Sequence, residues 1–396
     1  MVIYVSYSVN NEAIMNPYYI PILQIKKGEL DALSHLKSST QKVIRPIFEL
    51  PILTDDAIRR SKKLRESNAP LMMHINSKVE SVTNISGEIA FYFDIRGWAS
   101  NATVESGEHV ISHFSRRLTD NEVAVNPVIN YNYWDDPDYQ KAITSLPVTP
   151  KSHFLVRLSG DALEDIDDRE YFLHRFNEIL SALPTDSSPV AVQIDFSDVT
   201  HISPTEMQEL TESVISTLSL YNLEFISLSG SSMPIFSSDM VKEENSAAIH
   251  LRREFNAWQA LRTAYPSEKI ILGDYGINNA TIGGFPNPHA NGKIRYTISS
   301  QFFIARGHSK LKGDGFAQFH RLSAIIMDSK YFMGTAFSWA DHRIKECRDM
   351  ITGPGSLTSW IAHDTNHHIE FVTTEIAEFN RLIAAKEAIK IKNPAS

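Results

Sequence analysis

Short apolar runs that each end in polar residues recur through the first 274 positions of the chain. A strand of a parallel sheet is buried on both faces, so its sequence is a continuous apolar run and not an alternating one. Eight runs fit this description, at residues 21–25, 43–48, 89–93, 123–129, 154–156, 190–194, 223–226 and 270–272. The pattern therefore predicts eight parallel strands.

Segments typical of helices lie between these runs. The clearest spans residues 203–220, where Ser203 stands at the cap, Pro204 at the first helical position and Glu206 three residues after the cap. Residues 70–76 could form a further strand, an insertion or a helix end. Further helices are predicted at 28–37, 55–66, 108–118, 136–146, 168–183 and 246–261.

Repeated strand–helix–strand units imply right-handed crossovers and a parallel sheet, and eight strands favour a closed barrel over a doubly wound sheet. We predict an α/β protein in which residues 1–275 form a (β/α)8 TIM-like barrel. Residues 276–292 are rich in Gly, Asn and Pro, which is typical of a long loop, and 294–304 could add a strand. Residues 276–396 are expected to form this loop and an α-rich region packed on the barrel. Its helices are predicted at 315–328, 340–350, 357–363 and 366–391.

Composition excludes several classes of protein. The net charge of −9 argues against a protein that coats nucleic acid by bulk electrostatics, although a local basic groove stays possible. The single cysteine, Cys347, excludes an internal disulfide framework and a Cys-rich zinc site. Residues 1–9 are too short and uncharged for a secretory signal, and no run approaches the roughly 18 apolar residues of a membrane span. We expect a cytoplasmic protein without membrane association.

Polar residues follow the predicted strands at their carboxyl ends, which is the face where (β/α)8 barrels carry chemistry. The candidate acids are Glu49, Asp94, Asp195 and Asp274. The candidate bases are Lys26, Arg96 and Arg157, with Arg295 and Arg306 as candidates from later segments. Neutral hydrogen-bonding groups would come from Asn130 and Tyr275. The sequence thus predicts where a site lies without stating its chemistry.

Carboxylates that converge in one pocket repel each other unless one is protonated or a cation joins them. Mg²⁺ or Mn²⁺ would suit oxygen ligands, with Asp94 and Asp195 as metal ligands and Glu49, Asp94 and Asp195 as catalytic candidates. Arginines could then bind phosphate, which suits phosphodiester hydrolysis or nucleotide binding. Alternatively the same residues pair with each other, as Asp94 with Arg157 or Glu49 with Lys26. Whether the protein is an enzyme stays open.

The roles of three histidines near the carboxyl terminus also stay open. His367 and His368 are adjacent and do not share a helix face, whereas His363 and His367 have the i, i+4 spacing of two ligands. Asp364 stands where a zinc protease motif needs Glu. Metal ligation and a hydrogen-bonded cap or partner contact are the two interpretations.

Several short motifs occur in order along residues 18–380. They are YIPILQIKKGEL at 19–30, IRPIFE at 44–49, DIR at 94–96, GDY at 273–275, IRYT at 294–297, RG at 306–307 and HH at 367–368. In these motifs the chain resembles the Beta family of satellite phages and bacterial defence islands.

The resemblance implies a mobile-element protein encoded beside a growth-inhibiting partner, in arrangements such as the gop–beta–cII module. It implies a control or neutralising component of anti-phage defence that binds the protein partner encoded in the same module. No catalytic mechanism comes with the family. The hypothesis is such a control protein, with a phosphorylated or nucleotide-like ligand in the barrel mouth. The alternative is a metal-dependent phosphodiester hydrolase acting on nucleotides or nucleic acid.

Overall fold

The structure is a computed structural model that describes residues 18–87, 89–149, 152–184, 190–281 and 289–392. Residues 1–9, considered above as a signal, lie outside the described residues, and so does the middle of the predicted loop, 282–288. The strands are β1 (Tyr19–Gln24), β2 (Ile47–Glu49), β3 (Tyr92–Asp94), β4 (Val128–Asn130), β5 (Phe154–Ser159), β6 (Val190–Asp198), β7 (Ile226–Ser231), β8 (Ser246–Leu251), β9 (Ile270–Asp274), β10 (Asn291–Ile298) and β11 (Gln301–Ser309).

Helices follow most of the barrel strands and make up most of the carboxy-terminal part. In chain order they are α1 (Lys27–Ser34), α2 (Ser38–Gln41), α3 (Asp55–Arg60), α4 (Lys62–Arg65), α5 (Pro70–Ser86), α6 (Val110–Asp120), α7 (Pro137–Thr144), α8 (Asp161–Glu164), α9 (Arg169–Ala182), α10 (Pro204–Thr217), α11 (Ser237–Met240), α12 (Arg253–Ala264), α13 (Gln318–Met327), α14 (Trp339–Arg348) and α15 (Leu357–Lys392). In the described part of the chain, no helix is long and apolar enough to cross a membrane.

Eight parallel strands of the described chain form one sheet in the order β3-β2-β1-β9-β7-β6-β5-β4. A parallel bridge between Phe93 of β3 and Pro127, just before β4, connects the two edges. The sheet is therefore a nearly closed barrel surrounded by helices. This confirms the predicted (β/α)8 barrel with a helical carboxy-terminal part, and each predicted apolar run overlaps or adjoins one of these strands.

Strands β10, β11 and β8 form a second, antiparallel sheet. The prediction of one helix over residues 246–261 was wrong at its start, because 246–251 form β8 and α12 begins at Arg253. The physical reason is the pairing of β8 with β11, a partner about fifty residues away that supplies the ladder hydrogen bonds. The small sheet thus combines strands from both sides of position 275.

Inward-facing positions of the barrel change from apolar to polar along the strands. Side chains of Ile22, Ile47, Tyr92 and Leu155 belong to one buried apolar cluster. Because side chains on a strand alternate with period two, the next inward position lies two residues further on. Those next positions are Gln24, Glu49, Asp94 and Arg157. A layer of polar side chains therefore lies above the apolar core, at the carboxyl ends of the strands.

Candidate functional site

Arg157 of β5 occupies the centre of this polar layer. Its Nη1 donates to Asp94 Oδ2 and to Glu49 Oε1 at 3.2 Å, while Nε and Nη2 donate to Asp195 Oδ2 at 3.1 and 2.7 Å. Nη2 also donates to the Tyr275 hydroxyl at 2.6 Å, and that hydroxyl donates to Asp195 Oδ2 at 2.8 Å. All five side chains are buried. One guanidinium thus joins three carboxylates from strands β2, β3 and β6.

Arg96 supplies a second guanidinium from the segment after β3. Its Nη1 donates to Glu49 Oε1 at 3.1 Å and to the Ala280 carbonyl at 3.0 Å, and its Nη2 donates to Ser197 Oγ at 3.2 Å. The other Glu49 oxygen accepts from Gln24 Nε2 at 2.7 Å. Glu49 therefore has both oxygens satisfied by protein donors.

The pKa values of Asp94 and Asp195 in this layer shift in opposite directions. Burial raises the pKa of Asp94, even though Arg157 opposes the shift. Burial alone would raise the pKa of Asp195 too, but Arg157 and Arg96 hold that pKa below its ordinary value. The two arginines thus favour the ionised form of Asp195, whereas burial is the largest effect on Asp94.

Arg157 lies between Asp94 and Asp195, the two carboxylates predicted as metal ligands. The guanidinium supplies the counter-charge that the sequence argument assigned to Mg²⁺ or Mn²⁺. Among the described residues, no group of three or more His, Cys, Asp and Glu side chains is arranged to hold a metal ion. The metal and catalytic roles of Asp94, Asp195 and Glu49 stay predictions, and the ion-pair alternative describes the contacts seen for Asp94 and Arg157.

Asp274 belongs to a different buried cluster, between the barrel and α15. The Tyr19 hydroxyl donates to Asp274 Oδ1, and His368 Nε2 lies 3.1 Å from Asp274 Oδ2. His368 Nδ1 lies 2.8 Å from Thr297 Oγ1, and Arg252 Nη2 lies 3.6 Å from Asp274 Oδ2. Burial would raise the pKa of Asp274, but His368 and Arg252 hold it below its ordinary value. The cluster therefore ties α15 to β1, β9 and β10.

His367 and His363 also have packing partners. His367 Nδ1 lies 3.0 Å from Asp341 Oδ2, and Nε2 lies 2.9 Å from the Thr297 carbonyl, which can only accept a hydrogen bond. The ring of His363 packs edge-on against Trp360, and burial lowers its pKa to about 3. These contacts favour a hydrogen-bonded role for His367 and His368, whereas His363 is held by ring packing.

The remaining predicted residues are dispersed. The Asn130 side chain accepts from the Asn132 backbone N–H at 3.0 Å and caps a short turn. Arg306 donates to the carbonyls of Val241 and Lys242 at 2.7 Å each, on the small sheet. Lys26 is exposed at the end of β1. The structure thus brings together Glu49, Asp94, Asp195, Arg96, Arg157 and Tyr275, and it places Asn130, Asp274 and Arg306 outside that group.

A cavity of about 520 Å³ adjoins the charged layer. Its volume lies in the range of small-molecule sites, roughly 300–1,000 Å³. Its walls come from the ends of β1, β7 and β9, from β10, and from the start of α15. Its lining includes Ile22, Lys26, Lys27, Glu29, Glu49, Met233, Pro234, Ile235, Phe236, Met240, Tyr275, Lys293, Arg295, Thr358 and Ile361.

Most acidic and guanidinium groups of the cavity are already paired or neutral. Arg295 donates through Nε and its backbone N–H to Asp364 Oδ2 at 2.9 and 3.1 Å. Burial raises the pKa of Glu29 to about 8, so this carboxyl is largely neutral at pH 7. Among the described residues, no carboxylate lies within 4.0 Å of the ammonium of Lys26, Lys27 or Lys293. The unpaired charge of the cavity wall is therefore positive.

Lys293 and Phe236 were missed by the sequence argument. Lys293 lies two residues before Arg295, so the two side chains share a face of β10, and that alternation was the available signal. Phe236 gave no signal, because an aromatic residue in a loop after a strand packs inward as often as it binds a ligand.

Together the fold and these groups define a class: an α/β-barrel protein with a buried, mutually paired charged layer beneath a small-molecule-sized cavity. The sequence matches the Beta protein family over residues 19–374, most of its length, and the chain belongs to this family. Membership supports a phage-related protein.

Two other comparisons add little. A solved structure from a study of two fungal β-1,4-galactanases is 10% identical, covers 64% of this chain and 85% of that chain, and gives a TM-score of 0.34. A likeness of this size carries no argument about function. No curated protein matched the chain.

Proposed function

We propose that this protein is a control component of a mobile-element anti-phage defence or growth-control module. In this proposal it neutralises a toxic protein partner encoded in the same module, and it binds a phosphorylated or nucleotide-like ligand in the cavity at the barrel mouth. Family membership supports the phage-related setting. The cavity supports the ligand, because barrels of this type carry their sites at the carboxyl ends of the strands.

The observation that carries the ligand proposal is the unpaired positive charge of the cavity. Lys26, Lys27 and Lys293 line it without a carboxylate partner among the described residues, whereas Glu49 is shared by two arginines. A phosphate group would supply the missing counter-charge. The apolar part of the wall, which includes Ile235 and Phe236, suits the uncharged part of such a ligand.

The first experiment is a thermal-shift series on the full chain with a nucleotide panel, with and without Mg²⁺ or Mn²⁺. A ligand at about 100 times its dissociation constant adds roughly 2.7 kcal/mol to the free energy of unfolding. We expect a shift that needs no metal ion, that is lost in the Lys26→Met, Lys27→Met double variant, and that persists in Asp94→Asn, Asp195→Asn. A shift that needs the metal ion and both aspartates would instead support the hydrolase alternative. No shift with any nucleotide would overturn the ligand proposal.

Partner control is tested separately, by co-expression with the neighbouring growth-inhibiting protein. Asp94 is buried below the cavity, so the isosteric change Asp94→Asn alters the charged layer without altering the outer surface. We expect Asp94→Asn to bind and neutralise the partner as the parent protein does. Failure of the parent itself to bind any protein encoded beside it would overturn the control role.

A further inference from the structure

We propose that Lys293 and Phe236 hold the two ends of a mononucleotide in the cavity, with the phosphate at the Lys293 ammonium and the base stacked on the Phe236 ring. This inference rests on the proposed function and names the ligand class and its orientation. Neither residue was a candidate from sequence.

The protonated form of Lys293 has no carboxylate within 4.0 Å among the described residues. Its Nζ lies 3.5 Å from Ser237 Oγ and 3.8 Å from Met240 Sδ, which are both uncharged. Asp364, the carboxylate whose charge reaches it, is bound to Arg295 through Oδ2. A partly buried ammonium without a counter-ion is costly, and a phosphate in the adjoining cavity would remove that cost.

The charges around Lys293 also favour a bound phosphate. Burial and the Arg295 guanidinium on the same strand together lower its pKa to about 7, and Asp364 on α15 opposes the shift. The described side chains of α11 that face it are uncharged. A bound phosphate would stabilise the protonated amine, so binding takes up a proton. The affinity is therefore expected to fall as the pH rises through about 7.

Phe236 lines the same cavity and is largely exposed. The residue is 61% exposed, and the neighbouring Ile235 is 41% exposed. Nucleic-acid bases stack on exposed aromatic rings of this kind. Phe236 directly precedes Ser237, whose hydroxyl contacts Lys293 Nζ, so ring and ammonium lie within the length of one nucleotide.

The test is calorimetric titration of the full chain with AMP, GMP, CMP, UMP and inorganic pyrophosphate. We expect Lys293→Met to weaken nucleotides and pyrophosphate alike, by about tenfold or more. We expect Phe236→Ala to weaken the nucleotides by roughly tenfold and to leave pyrophosphate unchanged. Lys312→Met and Leu311→Ala are the matched controls, because both residues are exposed and neither lines the cavity.

The outcomes separate this inference from the proposed function. Nucleotide binding that is equal in the parent and Lys293→Met overturns the inference and leaves the proposed function standing. Unchanged nucleotide binding in Phe236→Ala overturns the orientation. If the parent binds no nucleotide and no pyrophosphate, both this inference and the ligand part of the proposed function are overturned.

A measurement on the unmodified parent guards against a variant that fails to fold. Reductive methylation with formaldehyde modifies neutral amines, and peptide mass spectrometry reports the extent at Lys293. Saturating AMP is expected to protect Lys293 and not Lys312. Equal labelling of Lys293 with and without bound AMP would overturn the assignment.

Discussion

The guanidinium of Arg157 is the positive charge that three buried carboxylates share. Its pKa lies well above the ordinary value, because Tyr275, Asp195, Asp94 and Glu49 together outweigh the effect of burial. Arg157 therefore stays protonated in the folded protein as the positive charge that pairs with these groups. Loss of either sign of charge leaves the other uncompensated in a medium that solvates charge poorly.

We expect Arg157→Met to lower the free energy of unfolding by about 3–5 kcal/mol, the usual cost when one partner of a buried ion pair is removed. Urea unfolding followed by circular dichroism measures this loss. The control is Arg117→Met, since Arg117 pairs with Asp120 on the surface and such pairs contribute roughly 0–1 kcal/mol. Equal effects of the two substitutions would contradict the central role of Arg157.

Glu29 gives the stability of the protein a pH dependence of definite sign. Burial raises its pKa from 4.5 to about 8, so the folded protein keeps a proton that the unfolded chain has lost between these values. Stability is therefore expected to fall as the pH rises from about 4.5 to about 8. Glu29→Gln removes this titration, so its stability relative to the parent should increase with pH across the window. The measurement is urea unfolding of both proteins at matched ionic strength. A difference in their free energies of unfolding that does not change with pH would contradict the role of Glu29.

At the scale of elements, α15 is one continuous helix, although the sequence predicted two helices, at 357–363 and 366–391. The Asn366 Oδ1 accepts from the Ala340 backbone N–H at 3.1 Å, and Nδ2 donates to the Ala32 carbonyl at 3.0 Å. The amide therefore joins α14 and α1 to α15 and is not free to cap. A partner on another element decided its role, and such partners are not visible in local sequence.

We expect Asn366→Leu to lower the free energy of unfolding by about 2–4 kcal/mol, because the Ala340 N–H loses its side-chain acceptor and the Ala32 carbonyl keeps only the His35 N–H. Thr365→Val is the matched control. Thr365 is equally buried, and its hydroxyl has no hydrogen-bond partner among the described residues, so its removal should be neutral or slightly stabilising. Similar losses of stability in the two variants, measured by urea unfolding, would contradict this role of Asn366.

The strands of the barrel were predictable because burial on both faces leaves a continuous apolar run in the sequence. The charged layer was predictable too, because Glu49, Asp94 and Arg157 directly follow predicted apolar runs. Strand β8 was not predictable, because it forms through pairing with β11. The position of Asp274 was also missed, because it depends on His368 from a helix about ninety residues later. Contacts within the barrel repeat are thus encoded locally, and contacts to α15 and the small sheet are not.

At the scale of the whole molecule, the cavity is formed by segments that are distant in sequence. Lys27 comes from the first barrel unit, Phe236 from the segment after β7, Lys293 from the small sheet and Ile361 from α15. Buried clusters centred on Asp274 and Glu370 fasten the same helix to the barrel. A ligand that contacts all these walls would therefore stabilise the packing of the carboxy-terminal part on the barrel.

Hydrogen exchange followed by mass spectrometry tests this coupling. With saturating nucleotide we expect slower exchange in α1, β10 and the first turns of α15, because ligand binding to the folded state raises the free energy of local opening. Helix α9 should be unchanged, since none of its residues lines the cavity. Protection confined to α1 would show that the ligand contacts the barrel alone. Protection of α15 that disappears in Lys293→Met, while that variant remains folded, would place the coupling at β10.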